Sequence, residues 1–325
     1  MSRACGITGC HAPETSCTNG EARFADCPHF RAPSDAAEAE ETTVAFADDG
    51  EFRFPWTGNV MGPSNLHYLT GSAPNKVLAV VGPSNAGKTS LLAAMYLLFG
   101  HGVRPKDVEF SGSLTFEGWE NIASCMRWSA HYGPSFPAHT SSGGGRYPGM
   151  LHLSLAVPME RIELLAADAP GEWFTQWATT KDSAQAEGAR WLSERADVFI
   201  VIADSEALAG PRRGQARKAL VDLLRRVGDE RKRRPVALVW SKCDVNVSDE
   251  MRSAVEAAAT RSLGEYSQFR VSVHAPVSGQ PRNQGQGVHD LLSWVLSASS
   301  PGMPEVESGD PRRALLRAYG SRHGR

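Results

Sequence analysis

The stretch GPSNAGKTS (residues 82–90) decides how this chain is read. It spells G-x-x-x-x-G-K-T, with Gly82, Gly87, Lys88 and Thr89 at the fixed positions. The apolar run KVLAVVG (76–82) leads into it, and a helical pattern over 88–99 leads out. That strand–loop–helix setting is what a phosphate loop requires. The glycines let the backbone curl until its N–H groups face an anion, helped by the N-terminus of the helix. The phosphate-binding set is Gly82, Ser84, Asn85, Ala86, Gly87, Lys88, Thr89 and Ser90. Lys88 is placed to reach β- and γ-phosphates, and the Thr89 hydroxyl to ligate Mg²⁺. A chance match in a chain of this length is on the order of one in a hundred.

Around this loop, apolar runs alternate with helical patterns. The runs cover 76–82, 150–157, 161–168, 197–204, 235–242 and 269–274; the helical patterns cover 88–99, 184–196, 215–227, 249–263 and 288–297. Most runs are too continuous for half-solvated strands and suit a sheet covered on both faces. Only PME (158–160) separates the second and third runs, too little for a crossover helix, so those two should pair as an antiparallel hairpin. The expected fold is α/β: a three-layer sheet, mostly parallel, with one antiparallel strand.

Two further motifs end predicted strands. LLAADAPGEWF (164–174) puts Asp168 at a strand terminus, where an acid can hold Mg²⁺ through water, and Gly171 where its N–H can contact a γ-phosphate. The plainer alternative is a strand ending in a turn. Trp173, Phe174 and Trp177 suit core or switch packing better than a binding face. VALVWSKCDV (236–245) ends in Ser241-Lys242-Cys243-Asp244. A carboxylate at Asp244 can accept from both N1–H and the 2-amino group of guanine; adenine offers no such donor pair. Lys242 would lay its aliphatic stem along the base, with Ser241 beside it. SVHAP (272–276) would bring backbone groups of Val273 and His274 to the base.

In this order and between these strands, the motifs resemble a Ras-like P-loop GTPase of the translation-factor-related class over roughly residues 75–298. DAPGEWF together with a cysteine-rich N-terminus looks most like the bacterial double-GTPase family of conflict and defence systems. The resemblance implies a GTP-binding protein that hydrolyses GTP to GDP with Mg²⁺ and switches an effector or activating protein. It also implies pairing of two copies across the switch face. A switch threonine is implied in the long interval 101–149, which ends in FPAHTSSGGGRYPG (136–149); Thr140 is the candidate second Mg²⁺ ligand, with Ser141 its rival. Lys88, Thr140, Gly171 and Glu172 are then the catalytic candidates. Three positions depart from the pattern. Ser241 replaces Asn or Thr, which would weaken a brace between base pocket and phosphate loop. Glu172 stands where Ras-like proteins carry a water-orienting Gln, and its charge repels a γ-phosphate. Ser84, usually Gly in Ras, crowds the route for a partner's arginine. Slow intrinsic hydrolysis is the expectation, with a non-hydrolysing GTP/GDP-binding module and an ATP-using P-loop protein as alternatives.

With 41% hydrophobic and 22% charged residues and a net charge of −2, the 325-residue chain has ordinary globular composition and no overall basic field for nucleic acid. No signal-peptide core or membrane-length apolar run is evident, so a cytoplasmic setting is expected. The expected domains are a Cys-rich module (1–30), a linker (31–50), the GTPase domain (51–300) and a basic tail (301–325). Cys5, Cys10, Cys17 and Cys27 lack tight C-x₂-C knuckles but could stabilise a small module around Zn²⁺, with His11 or His29 able to replace one ligand. Redox chemistry or an unstructured leader are the alternatives. RRVGDERKRR (225–234) suits a solvated helix end, complementing the dipole, better than a nucleic-acid patch.

Overall fold

The computed structural model describes residues 58–69, 73–127, 135–137, 147–158, 160–273 and 286–299. The chain divides into compact units Met1–Arg53 and Phe54–Arg325, and every described residue belongs to the second. The four N-terminal cysteines, the linker, Thr140, Ser141, His274 and the basic tail lie outside the described residues.

Among the described residues seven strands form one sheet: β1 (Asn75–Val81), β2 (Glu109–Gly112), β3 (Gly149–Val157), β4 (Glu160–Asp168), β5 (Val198–Asp204), β6 (Val236–Ser241) and β7 (Ser267–Arg270). Their order is β2-β3-β4-β1-β5-β6-β7. The β4–β1, β1–β5, β5–β6 and β6–β7 pairs are parallel, while β3 runs against both β2 and β4. The mostly parallel sheet with a single reversed strand is therefore the one the sequence implies. The seventh strand, β2, is an addition: four residues at the edge, with only Phe110 apolar.

Among the described residues eight α-helices cover the sheet: α1 (Lys88–Gly100), α2 (Phe116–Ala123), α3 (Gly171–Thr179), α4 (Glu187–Arg195), α5 (Ser205–Ala209), α6 (Arg213–Glu230), α7 (Asp249–Leu263) and α8 (Val288–Ser297). The continuous apolar strands explain the three layers. In β1, Leu78 and Val80 pack with α1, α2 and α8, whereas Ala79 and Val81 pack with α3, α4, α6 and α7. β5 is buried along its whole length, each large side chain contributing about 1.5–3 kcal/mol. Trp119, Phe174 and Trp177 are each 1% exposed, so the aromatics after Asp168 are core.

Helix ends are closed by cations. Arg234 donates to the carbonyls of Ser193, Ala196 and Glu230, at the ends of α4 and α6, and Arg231 to that of Leu263. The basic run 225–234 thus serves as a helix end. Among the described residues no helix is long and apolar enough to cross a membrane.

Candidate functional site

The C-terminal ends of β1, β4, β5 and β6 lie side by side, because β1 sits between β4 and β5. Each presents a polar group there: the loop after Val81, Asp168, Asp204 and Ser241. Such an edge, where connections diverge to opposite faces, is where open α/β sheets bind ligands.

The phosphate loop turns into α1 at Gly87, whose φ of +88° lies in the left-handed region open to glycine. Lys88 is 7% exposed, and its Nζ donates to the Pro83 carbonyl at 2.9 Å. Burial lowers its pKa from 10.5 to about 8, against the opposing pull of Asp168 and Glu172. The Thr89 hydroxyl donates to Asp168 Oδ1 at 2.9 Å, so the two residues assigned to Mg²⁺ meet although 79 positions apart. A hydroxyl and a carboxylate are the hard oxygen donors that Mg²⁺ takes alongside water and substrate phosphates, and the pair fits that cation.

Gly171 lies directly on this loop. A Cβ there would stand 2.1 Å from the Ser84 nitrogen and 2.4 Å from the Pro83 carbonyl carbon, so only glycine fits. Its neighbour Glu172 accepts a hydrogen bond from the Ser84 hydroxyl at 2.7 Å. The two departures read separately from the sequence are therefore one contact.

On the base side, the Ser241 hydroxyl, buried, donates to the Ala86 carbonyl at 2.9 Å. The brace expected to weaken at this position is made, by a shorter side chain. Lys242, at φ +51°, donates to the Asn85 carbonyl (2.9 Å), Asp204 Oδ2 (3.0 Å) and Glu206 Oε2 (2.8 Å). Burial alone would lower its pKa, but the Glu206 and Asp204 carboxylates outweigh that and raise it. Asp244 accepts from the Ser272 hydroxyl at 2.6 Å, which fixes the carboxylate for further acceptance.

These groups share a cavity of about 460 Å³, within the roughly 300–1,000 Å³ of small-molecule sites. Lys88, Thr89 and Gly171 line it, as do Lys242, Asp244 and Val273. Phe136, 57% exposed, and Ser272 line it too. Ser272 and Phe136 open the stretches SVHAP and FPAHT, where other residues were the candidates, and nothing in the sequence marks Glu206. Asp204, an acid ending a buried strand as Asp168 does, was visible by the same logic.

The family model described as Double-GTPase 2 matches residues 76–295. Comparison with curated proteins found no match. Among solved structures, the chain is similar to one described as "Crystal structure of Era in complex with MgGDPNP and nucleotides 1506-1542 of 16S ribosomal RNA". The identity is 17% and the TM-score 0.36, over 72% of this chain and 60% of that chain's length. The family model spans well over half of the chain, from β1 into α8, and the protein belongs to the Double-GTPase 2 family.

Proposed function

We propose that the chain binds GTP with Mg²⁺, hydrolyses it slowly to GDP, and acts as a nucleotide-dependent switch for a partner protein. One observation carries this: Lys88, Thr89 and Gly171 line the same cavity as Lys242 and Asp244, so one nucleotide can reach both ends. Backbone N–H groups from Gly82 to Ser90 would hold the phosphates, with Lys88 supplying charge. Thr89 and Asp168 would hold the cation, which offsets phosphate charge when bound. Asp244 would accept from the guanine edge, with Lys242 and Val273 along the base. The Gly171 N–H would contact the γ-phosphate and report its presence through α3.

Thr140 is the proposed switch ligand from the family resemblance. The same resemblance supports a bacterial conflict or defence setting, and pairing of copies across the switch face. Zinc on Cys5, Cys10, Cys17 and Cys27 stays part of the proposal from sequence, to be tested by metal analysis of the full chain.

The Ser84–Glu172 hydrogen bond favours a second reading, a module that holds GTP or GDP with little turnover. A carboxylate tied to the phosphate loop is poorly placed to orient water, and its charge opposes a γ-phosphate. Single-turnover GTP hydrolysis in Mg²⁺ separates the two. The switch enzyme predicts a wild-type rate well above those of Lys88→Ala and Asp168→Ala. Equal rates, with wild-type GTP binding intact, would establish the module instead.

A further inference from the structure

Behind the strand ends that carry Ser241-Lys242-Cys243-Asp244, a small pocket lies against α7. Its lining includes Ser205 at the start of α5, Trp240 of β6, Val245 of the following loop, Arg252 of α7, and Gln268 and Arg270 of β7. The parallel register sets Trp240 beside Arg270, and the Arg252 guanidinium lies 6.0 Å from the centroid of the Trp240 ring. The space between them is about 10 Å³, room for one body the size of a water molecule.

The polar groups around this space are donors that the chain leaves unanswered. The buried Trp240 indole N–H has no hydrogen-bond partner among the described residues. Ser205 is 2% exposed, and its hydroxyl makes no hydrogen bond to them either. Arg252 and Arg270 form no ion pair among the described residues. Gln268 gives its amide N–H to Glu256 at 2.8 Å, which engages the carboxylate one turn along α7 from Arg252. Asp249 and Glu250, in the first turn of α7, are exposed, and no acid lines the pocket.

Buried donors in folded proteins are nearly always satisfied, and two like charges on one small pocket repel each other. A water molecule could take the N–H bond but would leave both guanidinium charges unbalanced. A phosphate or carboxylate group exceeds the space. A monatomic anion answers the donors and the charges together.

We propose that this pocket binds one halide ion, chloride or bromide, held by Arg252, Arg270, the Trp240 N–H and the Ser205 hydroxyl. The same ion braces the guanine loop from behind, and this second part rests on the proposed function. Val245 lines both this pocket and the nucleotide cavity. Trp240 directly precedes Ser241 and Lys242, and Ser205 follows Asp204, which holds Lys242 at 3.0 Å.

The test compares thermal melts of the full chain in about 100 mM sodium chloride and in sodium gluconate of equal ionic strength. Chloride should raise the midpoint by about 2–4 °C. Arg252→Gln/Arg270→Gln, which keeps donors but removes charge, should abolish that rise, whereas Arg252→Lys/Arg270→Lys should retain part of it. Line broadening of the chloride NMR signal should likewise appear with wild type, yield to added bromide, and vanish with the Gln pair. Equal midpoints in the two salts, with no broadening, would overturn the site and leave the pocket to water. A rise or broadening undiminished in the Gln pair would place the halide elsewhere and overturn it too. With the site filled, GTP should bind about fivefold more tightly in chloride than in gluconate. Equal GTP affinities would uphold the site and overturn its hold on the guanine loop. Failure to bind GTP in either salt would count against the proposed function alone.

Discussion

In the proposed binding mode, where Lys88 meets the phosphates as an ammonium, raising pH should weaken GTP binding, because its proton must first be restored. In the free chain burial holds its pKa at about 8. Phosphates beside the ammonium would return it above that value. The fraction of free chain already protonated is about 0.9 at pH 7 and about 0.1 at pH 9, so affinity should fall about tenfold between them, or about 1.4 kcal/mol. At pH 8 each binding event should take up about half a proton, visible as a dependence of calorimetric enthalpy on buffer ionisation. The titrations belong in saturating Mg²⁺ and below the deprotonation of guanine N1–H. Lys88→Arg, charged throughout, should bind with no such slope. An affinity flat within twofold from pH 7 to 9, with no proton uptake, would refute the placement of a desolvated Lys88 at the phosphates. The same depressed pKa has an opposite consequence for folding. At pH below 8 the buried charge costs the free protein about 3 kcal/mol, and that cost is relieved as pH rises from about 8 toward 10.5.

Gly171→Ala should displace the phosphate loop, since the new methyl group meets backbone at 2.1 Å; about 1–3 kcal/mol of stability should be lost with at least tenfold in GTP affinity. Denaturant melts and fluorescent-nucleotide titration read the two effects. Ser241→Ala removes the buried donor to Ala86 and should cost about 1–3 kcal/mol by chemical denaturation, the range for leaving a buried carbonyl unpaired. His152 on β3 accepts from the Leu114 N–H through Nδ1 and so donates from Nε2 to Glu163, both side chains 3% exposed. His152→Ala should cost about 3 kcal/mol. Burial lowers the His152 pKa below 6.5 despite Glu163, so acidification through 6.5 should destabilise wild type more than the variant.

What the sequence disclosed followed physical rules. Strands buried on both faces leave continuous apolar runs, and β1, β3, β4, β5 and β6 were plain for that reason. β7, an edge strand of half-buried and exposed residues, shares only Phe269 and Arg270 with the run 269–274. β2 escaped because an edge strand of four residues, EFSG, needs neither apolar continuity nor alternation. α2 was hidden by Gly118 in its interior, a residue kept because the Asn59 carbonyl oxygen would stand 2.3 Å from a Cβ there. α3 opens at the Gly of a Pro-Gly pair, which signals a turn and conceals the helix that follows. The phosphate loop is contiguous and was legible residue by residue. The clamp of Asp204 and Glu206 on Lys242, and of Ser272 on Asp244, depends on strands distant in sequence. No spacing rule joins positions 204 and 242, or 244 and 272; only the order of β5, β6 and β7 does.

The proposed recognition of guanine rests on Asp244, in a cavity shared with the phosphate loop. Competition of unlabelled GTP and ATP against a fluorescent guanine nucleotide, in wild type and Asp244→Ala, tests it most directly. A site built to accept two hydrogen bonds should prefer GTP by at least about a hundredfold, and loss of the carboxylate should bring the two within about tenfold. ATP competing as well as GTP in wild type, or a preference untouched by Asp244→Ala, would contradict it.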